Sequence, residues 1–397
     1  MKYIKRFVVG VLLLFLVTVI VSVETDFFAN IENYMPKLTQ KCPVIVKIAD
    51  GIEDMTEDIP SFSQIIESIK GKSLPNDPND FVKGSYNSKS PMLSFYQKES
   101  IGITVNSGSE LSVFGMTNAK DKSNILIVLT DKNGNELKRE SVSKTVSSNE
   151  FQKKIKIPNT KTGIVNVNIY AGKKTYGEFS SWAIDYISLE KTEEGWQIKK
   201  APVAEHNKAM YEEGKSLSAG LKKTASINPD DSEIKAIAEQ LTKGMEDDYE
   251  KITAFHDWVC NYLYYNIDYI ENGKIAPYID TEVIDERNVV CLGYSNLFAS
   301  LCRSAGIPCY VVSGYALGID TEDTAWNDTN YQTTTANHAW NEAYVNDRWV
   351  IVDTTWDSFN RFENGKRVKG ERSSYLYFDA NPEFFSANHK IIEYLTD

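Results

Sequence analysis

The hydrophobic period of this chain changes once, and that change divides it. Between residues 85 and 196 apolar and polar residues alternate in short runs: "IGITVN", "ELSVFGMT", "NILIVLTD", "FQKKIKI", "GIVNVNIYAG" and "WAIDYISLE". Alternation is the period of a strand with one buried face. Asn133-Gly134 within "DKNGNE" is a hairpin signal, since both residue types tolerate the left-handed backbone of such turns. These runs predict a β-sandwich of immunoglobulin-like type over 85–196. Tyr176 and Trp182 within it read first as core or edge packing, with a sugar-binding face as the alternative. "KKAPVAEHNKAMYEEG" then opens a polar linker over 197–230. From 231 onward the period lengthens: Ile234, Ile237, Ala238 and Leu241 share one helix face, with Asp230, Asp231 and Ser232 as N-cap candidates. A second domain, opening with helix, is expected over 231–397.

The N-terminus is different again. Lys2, Lys5 and Arg6 precede an apolar run from Phe7 to Val23. A basic flank ahead of an apolar run is the pattern of a signal peptide or signal anchor. The run sits at the short edge of the ~17–25 residues that span a bilayer. Neither "VSV" nor "FFA" makes a good cleavage site, so residues 1–23 are expected to stay as an anchor rather than to be removed. The basic flank should remain in the cytoplasm. The bulk of the chain is then exported, membrane-anchored with extracytoplasmic domains, or secreted if cleavage occurs. Residues 24–84, interrupted by Pro36, Pro43 and Pro60, read as a partly helical spacer.

A formal net charge of −12 argues against nucleic acid as a partner, because phosphate binding needs clustered Lys and Arg. Cys42, Cys260, Cys291, Cys302 and Cys309 are an odd number in an exported chain, so at least one thiol is unpaired within it. His206, His256, His338 and His389 show no HExxH or other metal-ligand spacing, and no loop has calcium-ligand spacing. No metal and no cofactor is expected.

Cys291 stands out by position. After it, Tyr294, Leu297, Phe298, Leu301, Cys302 and Ala305 recur with the period of an amphipathic helix, which Gly306 and Pro308 are placed to end. Cys291 therefore lies at a helix N-terminus, where free N–H groups and the helix dipole favour a thiolate. Cys302, on the apolar stripe, and Cys309, in the strand-like "PCYVVSGYA", read as small buried hydrophobes.

A thiolate nucleophile needs an imidazole, and the imidazole an orienting acceptor. "HAWNEAYV" and "RWVIVDTTW" flank Asn346-Asp347. Taken as a two-residue hairpin, that turn pairs Val345 with Arg348 and places Trp340 opposite Asp353. His338 and Asp353 then share a sheet face as diagonal neighbours. A slip of one residue would separate them. His256, beside Phe255 and Trp258 in a helical stretch, reads as a packed helix residue.

"VVCLGYSNLFASLCRSAGIPCYVVSGYA", "NHAWNEAYVNDRWVIVDTTWD" and "YLYFDANPEFFSANHKI" together resemble the bacterial transglutaminase-like core. The resemblance spans 231–397. It implies a papain-like α+β fold with a Cys–His–Asp triad, and matches Cys291 to the nucleophile, His338 to the base and Asp353 to the orienting acid. "YLYYN" (262–266) matches the family's aromatic segment ahead of the cysteine, although it ends in Asn266 where the family often has Asp. Tyr265, Trp340 and Trp356 are the substrate-cleft candidates.

The chemistry implied is acyl transfer through a Cys thioester. With an amine as acceptor the outcome is cross-linking; with water it is deamidation or proteolysis. The expected function is an exported thiol acyltransferase or hydrolase acting on protein or peptide amides in the cell envelope or outside the cell. A cysteine endopeptidase with the same triad is the alternative. A non-catalytic surface binding or scaffold protein is the alternative from a different class.

Overall fold

The computed structural model describes residues 80–85, 90–120, 122–173, 179–181, 187–318, 325–370 and 373–396. The apolar run 7–23, most of the 24–84 spacer, Cys42, Tyr176 and Trp182 lie outside them. No helix among the described residues is long and apolar enough to cross a membrane. The chain separates into two compact units. One, described over residues 266–276, holds the single helical turn Asp268–Glu271. The other, residues 73–265 and 277–397, holds the remaining elements among the described residues.

The region forms strands β1 (Glu99–Asn106), β2 (Glu110–Thr117), β3 (Asn124–Thr130), β4 (Glu136–Ser143), β5 (Glu150–Lys156), β6 (Ile164–Gly172), β7 (Ser188–Thr192) and β8 (Gly195–Ile198), and all but β4 and β8 fall on the alternating runs. They build two antiparallel sheets, one ordered β1-β2-β5 and the other β8-β7-β6-β3-β4, with Phe179–Ser181 pairing β6 off that path. Ile101, Val113 and Phe151 from the first sheet share an apolar core with Ile127, Val167 and Leu189 from the second. The period of two is the cause: every second side chain of these strands points into the space between the sheets.

The expected linker is not one throughout. Residues 204–212 form helix α1 (Ala204–Glu212), with Asn207 and Tyr211 buried. The Asn207 amide donates to Ser386 Oγ and to the His389 carbonyl and accepts from the Ile391 N–H; the Tyr211 hydroxyl donates to the Trp349 carbonyl. Polarity here serves the interior, by satisfying backbone groups beside a sheet edge.

The C-terminal half comprises α2 (Ser232–Leu241), α3 (Asp248–Tyr262), α4 (Cys291–Ser304), β9 (Cys309–Ala316), β10 (His338–Val345), β11 (Arg348–Val352), α5 (Thr354–Asp357), α6 (Pro382–Phe385) and β12 (His389–Leu395). The sheet runs β11-β10-β9-β12, antiparallel throughout. Helix α4 lies against it: Leu297, Phe298 and Leu301, all wholly buried, share a core with Val311, Ala343 and Val350. Each such side chain contributes about 1.5–3 kcal/mol by leaving water. Apolar periodicity predicts one buried face for α4, yet Ser295, Asn296, Ser300 and Arg303 are buried as well. Each of the last three has a partner: Asn296 donates to the Tyr278 carbonyl, Ser300 to Asp280, and Arg303 to the carbonyls of Cys309 and Lys222. The helix stops where Gly306 takes φ 78°, allowing the Ile307 N–H to reach back to the Cys302 carbonyl.

Candidate active site

Three elements bring the site together. Cys291 is the first residue of α4, following Val290 in extended conformation. Gly293 permits this start: a Cβ there would lie 2.8 Å from Val289 Cβ and 2.9 Å from the Pro277 carbonyl oxygen. Strand β10 begins at His338 and is docked to α4 through Asn341, whose buried amide donates to the Ser295 carbonyl at 3.0 Å. Asn346 and Asp347 have φ of 51° and 60°, the primed turn that suits a right-twisted hairpin. Pairing runs from Val345↔Arg348 to Asn341↔Val352, the register expected from the turn.

The ladder ends at Val352, one residue before Asp353. Asp353 is therefore not a strand residue but the N-cap of the one-turn helix α5. Its Oδ1 accepts from the N–H groups of Thr355 (3.0 Å) and Trp356 (3.1 Å). That anchorage aims Oδ2 at His338, whose Nε2 lies 2.6 Å away. Both side chains are wholly buried. Burial alone would lower the His338 pKa, but the Asp353 charge, its hydrogen bond and the nearby Cys291 outweigh it and raise the value to about 10. Burial would likewise lift the Asp353 carboxyl, yet its two histidine neighbours, His338 above all, hold it below the ordinary range. His338 Nδ1, on the other side of the ring, makes no hydrogen bond among the described residues, although Cys291 is close enough to strengthen its basicity. Such contacts are commonly long before substrate binds.

The cleft candidates divide. Tyr265 is partly exposed, and burial together with the charges of Cys291 and Asp353 raises its hydroxyl pKa, so it stands near those two. Trp356 is partly exposed, its ring 5.7 Å from that of His338. Trp340 is wholly buried and packs against Gly314, where no side chain could fit. It is core rather than cleft wall, because Phe385 and His389 cover its ring, with centroids 5.3 and 5.2 Å away.

Sequence reasoning missed His389. Its Nε2 lies 3.3 Å from Asp353 Oδ2, off the line of a well-aligned hydrogen bond. The only signal was its place in "FFSANHKI", which carries no spacing to Asp353. His256, read as a packed helix residue, is wholly buried on α3 with Nε2 3.1 Å from Asp357 Oδ2 and Nδ1 3.0 Å from Asp257 Oδ1. A cavity of about 670 Å³ lined by Trp196, Trp326 and Phe384 lies elsewhere, and none of Cys291, His338 or Asp353 lines it.

Residues 235–354 match the model of the Transglutaminase-like superfamily, a range that takes in Cys291, His338 and Asp353. Those residues are a transglutaminase-like domain. The transglutaminase-like core is similar to kyphoscoliosis peptidase of Mus musculus, 29% identical over 132 residues, covering 32% of this chain and 18% of that one. The human kyphoscoliosis peptidase is 28% identical over 155 residues, covering 36% and 22%. The chain thus spans only about a fifth of the length of these curated relatives. A solved structure of a candidate cysteine protease from Cytophaga hutchinsonii is 17% identical, covering 62% of this chain and 72% of that one with a TM-score of 0.28.

Proposed function

We propose that this transglutaminase-like protein is a thiol acyltransferase or hydrolase acting on protein or peptide amides, with Cys291 as nucleophile, His338 as acid and base, and Asp353 as orienting acid. The observation that carries the reading is the division of labour on one imidazole: Nε2 is bound at 2.6 Å by Asp353, which leaves Nδ1 for Cys291. Cys291 Sγ, its proton passed to His338 Nδ1, attacks the amide carbonyl carbon. The tetrahedral intermediate collapses as His338 returns that proton to the departing amine, leaving a thioester. Water or a second amine then attacks the thioester, His338 taking its proton, and the thiol is regenerated. The N–H of Cys291 at the start of α4 is the oxyanion donor in this scheme. Tyr265 and Trp356 flank the bound acyl group.

Hydrolysis of a peptide bond is the second reading, favoured by the name of the kyphoscoliosis peptidases that the core resembles. The site acts outside the membrane in this scheme, a placement supported by Lys2, Lys5 and Arg6 ahead of the apolar run 7–23. The two packed sheets of β1–β8 serve as an immunoglobulin-like module, supported by their antiparallel pairing and shared core.

The test is to incubate the protein and its Cys291→Ala variant with a Gln-rich protein and a primary amine, and to record product masses. Amine addition identifies a transglutaminase, a gain of about one dalton a deamidase, and fragments a peptidase. Products that persist in Cys291→Ala, or no product from any substrate, would sink the proposal and favour a binding protein.

A further inference from the structure

His389 opens β12, is wholly buried, and has no part in the acyl-transfer scheme. Its ring stacks on Phe385 with centroids 3.9 Å apart and 17° between planes, while Trp356 meets it edge-on at 4.6 Å. So confined, it directs both nitrogens within its own plane. Nδ1 is 2.7 Å from Asn388 Oδ1, and Nε2 is 3.3 Å from Asp353 Oδ2 with no better partner among the described residues.

Three protonation patterns are available to this ring, and two conflict with their surroundings. A proton on Nδ1 alone would turn the Nε2 lone pair towards a buried carboxylate oxygen, which is repulsive. Protons on both nitrogens would create a second imidazolium beside His338. Burial and the His338 charge oppose that, although Asp353 pulls the other way, and the pKa falls to about 4. The remaining pattern is neutral, with the proton on Nε2. It requires a donor to Nδ1, which Asn388 becomes once its amide is turned over, an assignment that heavy-atom positions leave open. The Asn388 carbonyl then faces the Tyr377 hydroxyl, 3.1 Å from the amide.

We infer that His389 is a positioning residue: as the neutral Nε2–H tautomer it donates to Asp353 Oδ2 and fixes the plane in which that carboxylate meets His338. The inference rests on reading Cys291, His338 and Asp353 as the reacting set. Its consequence is a fully occupied carboxylate. A carboxylate offers about four lone-pair sites. On Asp353, Oδ1 takes the Thr355 and Trp356 N–H groups and Oδ2 takes His338, and the inferred His389 Nε2–H, 3.3 Å away, would be the fourth donor. Rotation about the Asp353 Cβ–Cγ bond then breaks hydrogen bonds that no solvent replaces.

The test uses the full chain and two readouts. The first is the rate at which iodoacetamide labels Cys291 at neutral pH in the wild type, His389→Gln and His389→Phe, with thermal melts to verify folding. Gln can present an amide N–H where Nε2 stood; Phe keeps the stacked ring without a donor. Labelling should slow about tenfold in His389→Phe and stay within about threefold of wild type in His389→Gln, the loss and return of one hydrogen bond to a charge. The second, which needs no folded His389→Phe, is the ¹⁵N spectrum of histidine-labelled wild type, where His389 should be neutral and protonated on Nε2. Wild-type labelling in a folded His389→Phe, or a His389 ring protonated on Nδ1, overturns the inference. If Cys291 in wild type labels no faster than the buried thiols, it is the reacting set itself that fails.

Discussion

Cys291, His338 and Asp353 have a near-duplicate one helical turn away, in Cys260, His256 and Asp357. Helix α5 joins the two groups: Asp353 caps its start and Asp357 is its last residue. Residue types match, yet the surroundings differ in two decisive respects. Cys291 begins a helix and keeps a little exposure, 9 %, whereas Cys260 lies within α3 and its thiol donates a hydrogen bond to the Thr354 carbonyl at 3.2 Å. Burial pushes the Cys260 pKa up to about 11, although His256 pulls it down. The second difference is in the imidazoles. His338 has one nitrogen on a carboxylate and one left for a thiol, while His256 has a carboxylate on each. Asp357 accepts from Ser374, the Tyr377 N–H and His256, three donors that favour its charged form although burial lifts its pKa. The inner group is a clamp that seats α5, and through α5 it sets where Asp353 points. The two trios differ in an imidazole nitrogen left without a partner among the described residues and in a sulfur that is not wholly buried.

Breaking the comparison at the sulfurs should produce the largest contrast. Cys291→Ala is expected to lower product formation by on the order of 10⁴-fold or more, as loss of a nucleophile does. Cys260→Ala should leave it within about threefold per folded molecule, since only a buried thiol hydrogen bond is lost. Activity lost equally in both, by mass spectrometry of products, would remove the distinction.

Next come the acids. Asp353→Asn should cost on the order of 10³–10⁴-fold in turnover, because an amide can no longer stabilise the imidazolium or fix its tautomer. Asp357→Asn breaks a buried ion pair, and a stability loss of about 3–5 kcal/mol is expected. A denaturant melt beside a turnover assay separates the two effects. Turnover lost in Asp357→Asn with unchanged stability would contradict the clamp.

Labelling sharpens the contrast without substitution. Brief alkylation near pH 6 followed by peptide mapping should mark Cys291 ahead of Cys260, Cys302 and Cys309, which are 2 % exposed or less. Even labelling of all four would count against the proposed nucleophile.

The smallest effect is on stability against pH. His338 binds its proton more tightly folded, about 10, than unfolded, about 6.5. A raised folded value stabilises fully below the unfolded pKa, and the gain disappears as pH rises through the folded one. The melting-temperature gap between wild type and His338→Gln should therefore be widest below about pH 6.5 and narrow towards about pH 10. A gap that widens with alkalinity would mean His338 is neutral in the folded protein.

Sequence by itself determined a good deal of this. A period of two predicted six of the strands β1–β8, all but β4 and β8, because alternation follows from the pleat alone. The run from Tyr294 to Ala305 predicted α4, and Asn346-Asp347 predicted the hairpin and its register, because both rest on contacts between near neighbours in the chain. His338 and Asp353 were paired from that register, and Cys291 was placed at a helix start. Tertiary structure decided what depends on distant residues. Trp340 sits in a motif but is core, since Gly314 on the adjacent strand leaves room only for its ring. Residues 204–212 look like a linker by composition and pack as a helix, since their polar groups answer backbone at Ile391 and Trp349. His389 reaches Asp353 only because β12 lies beside β9 and α6 places Phe385 under its ring. A local pattern carries the geometry of neighbouring residues; which far-off side chain fills the last lone pair of a buried carboxylate is fixed only when the chain closes on itself.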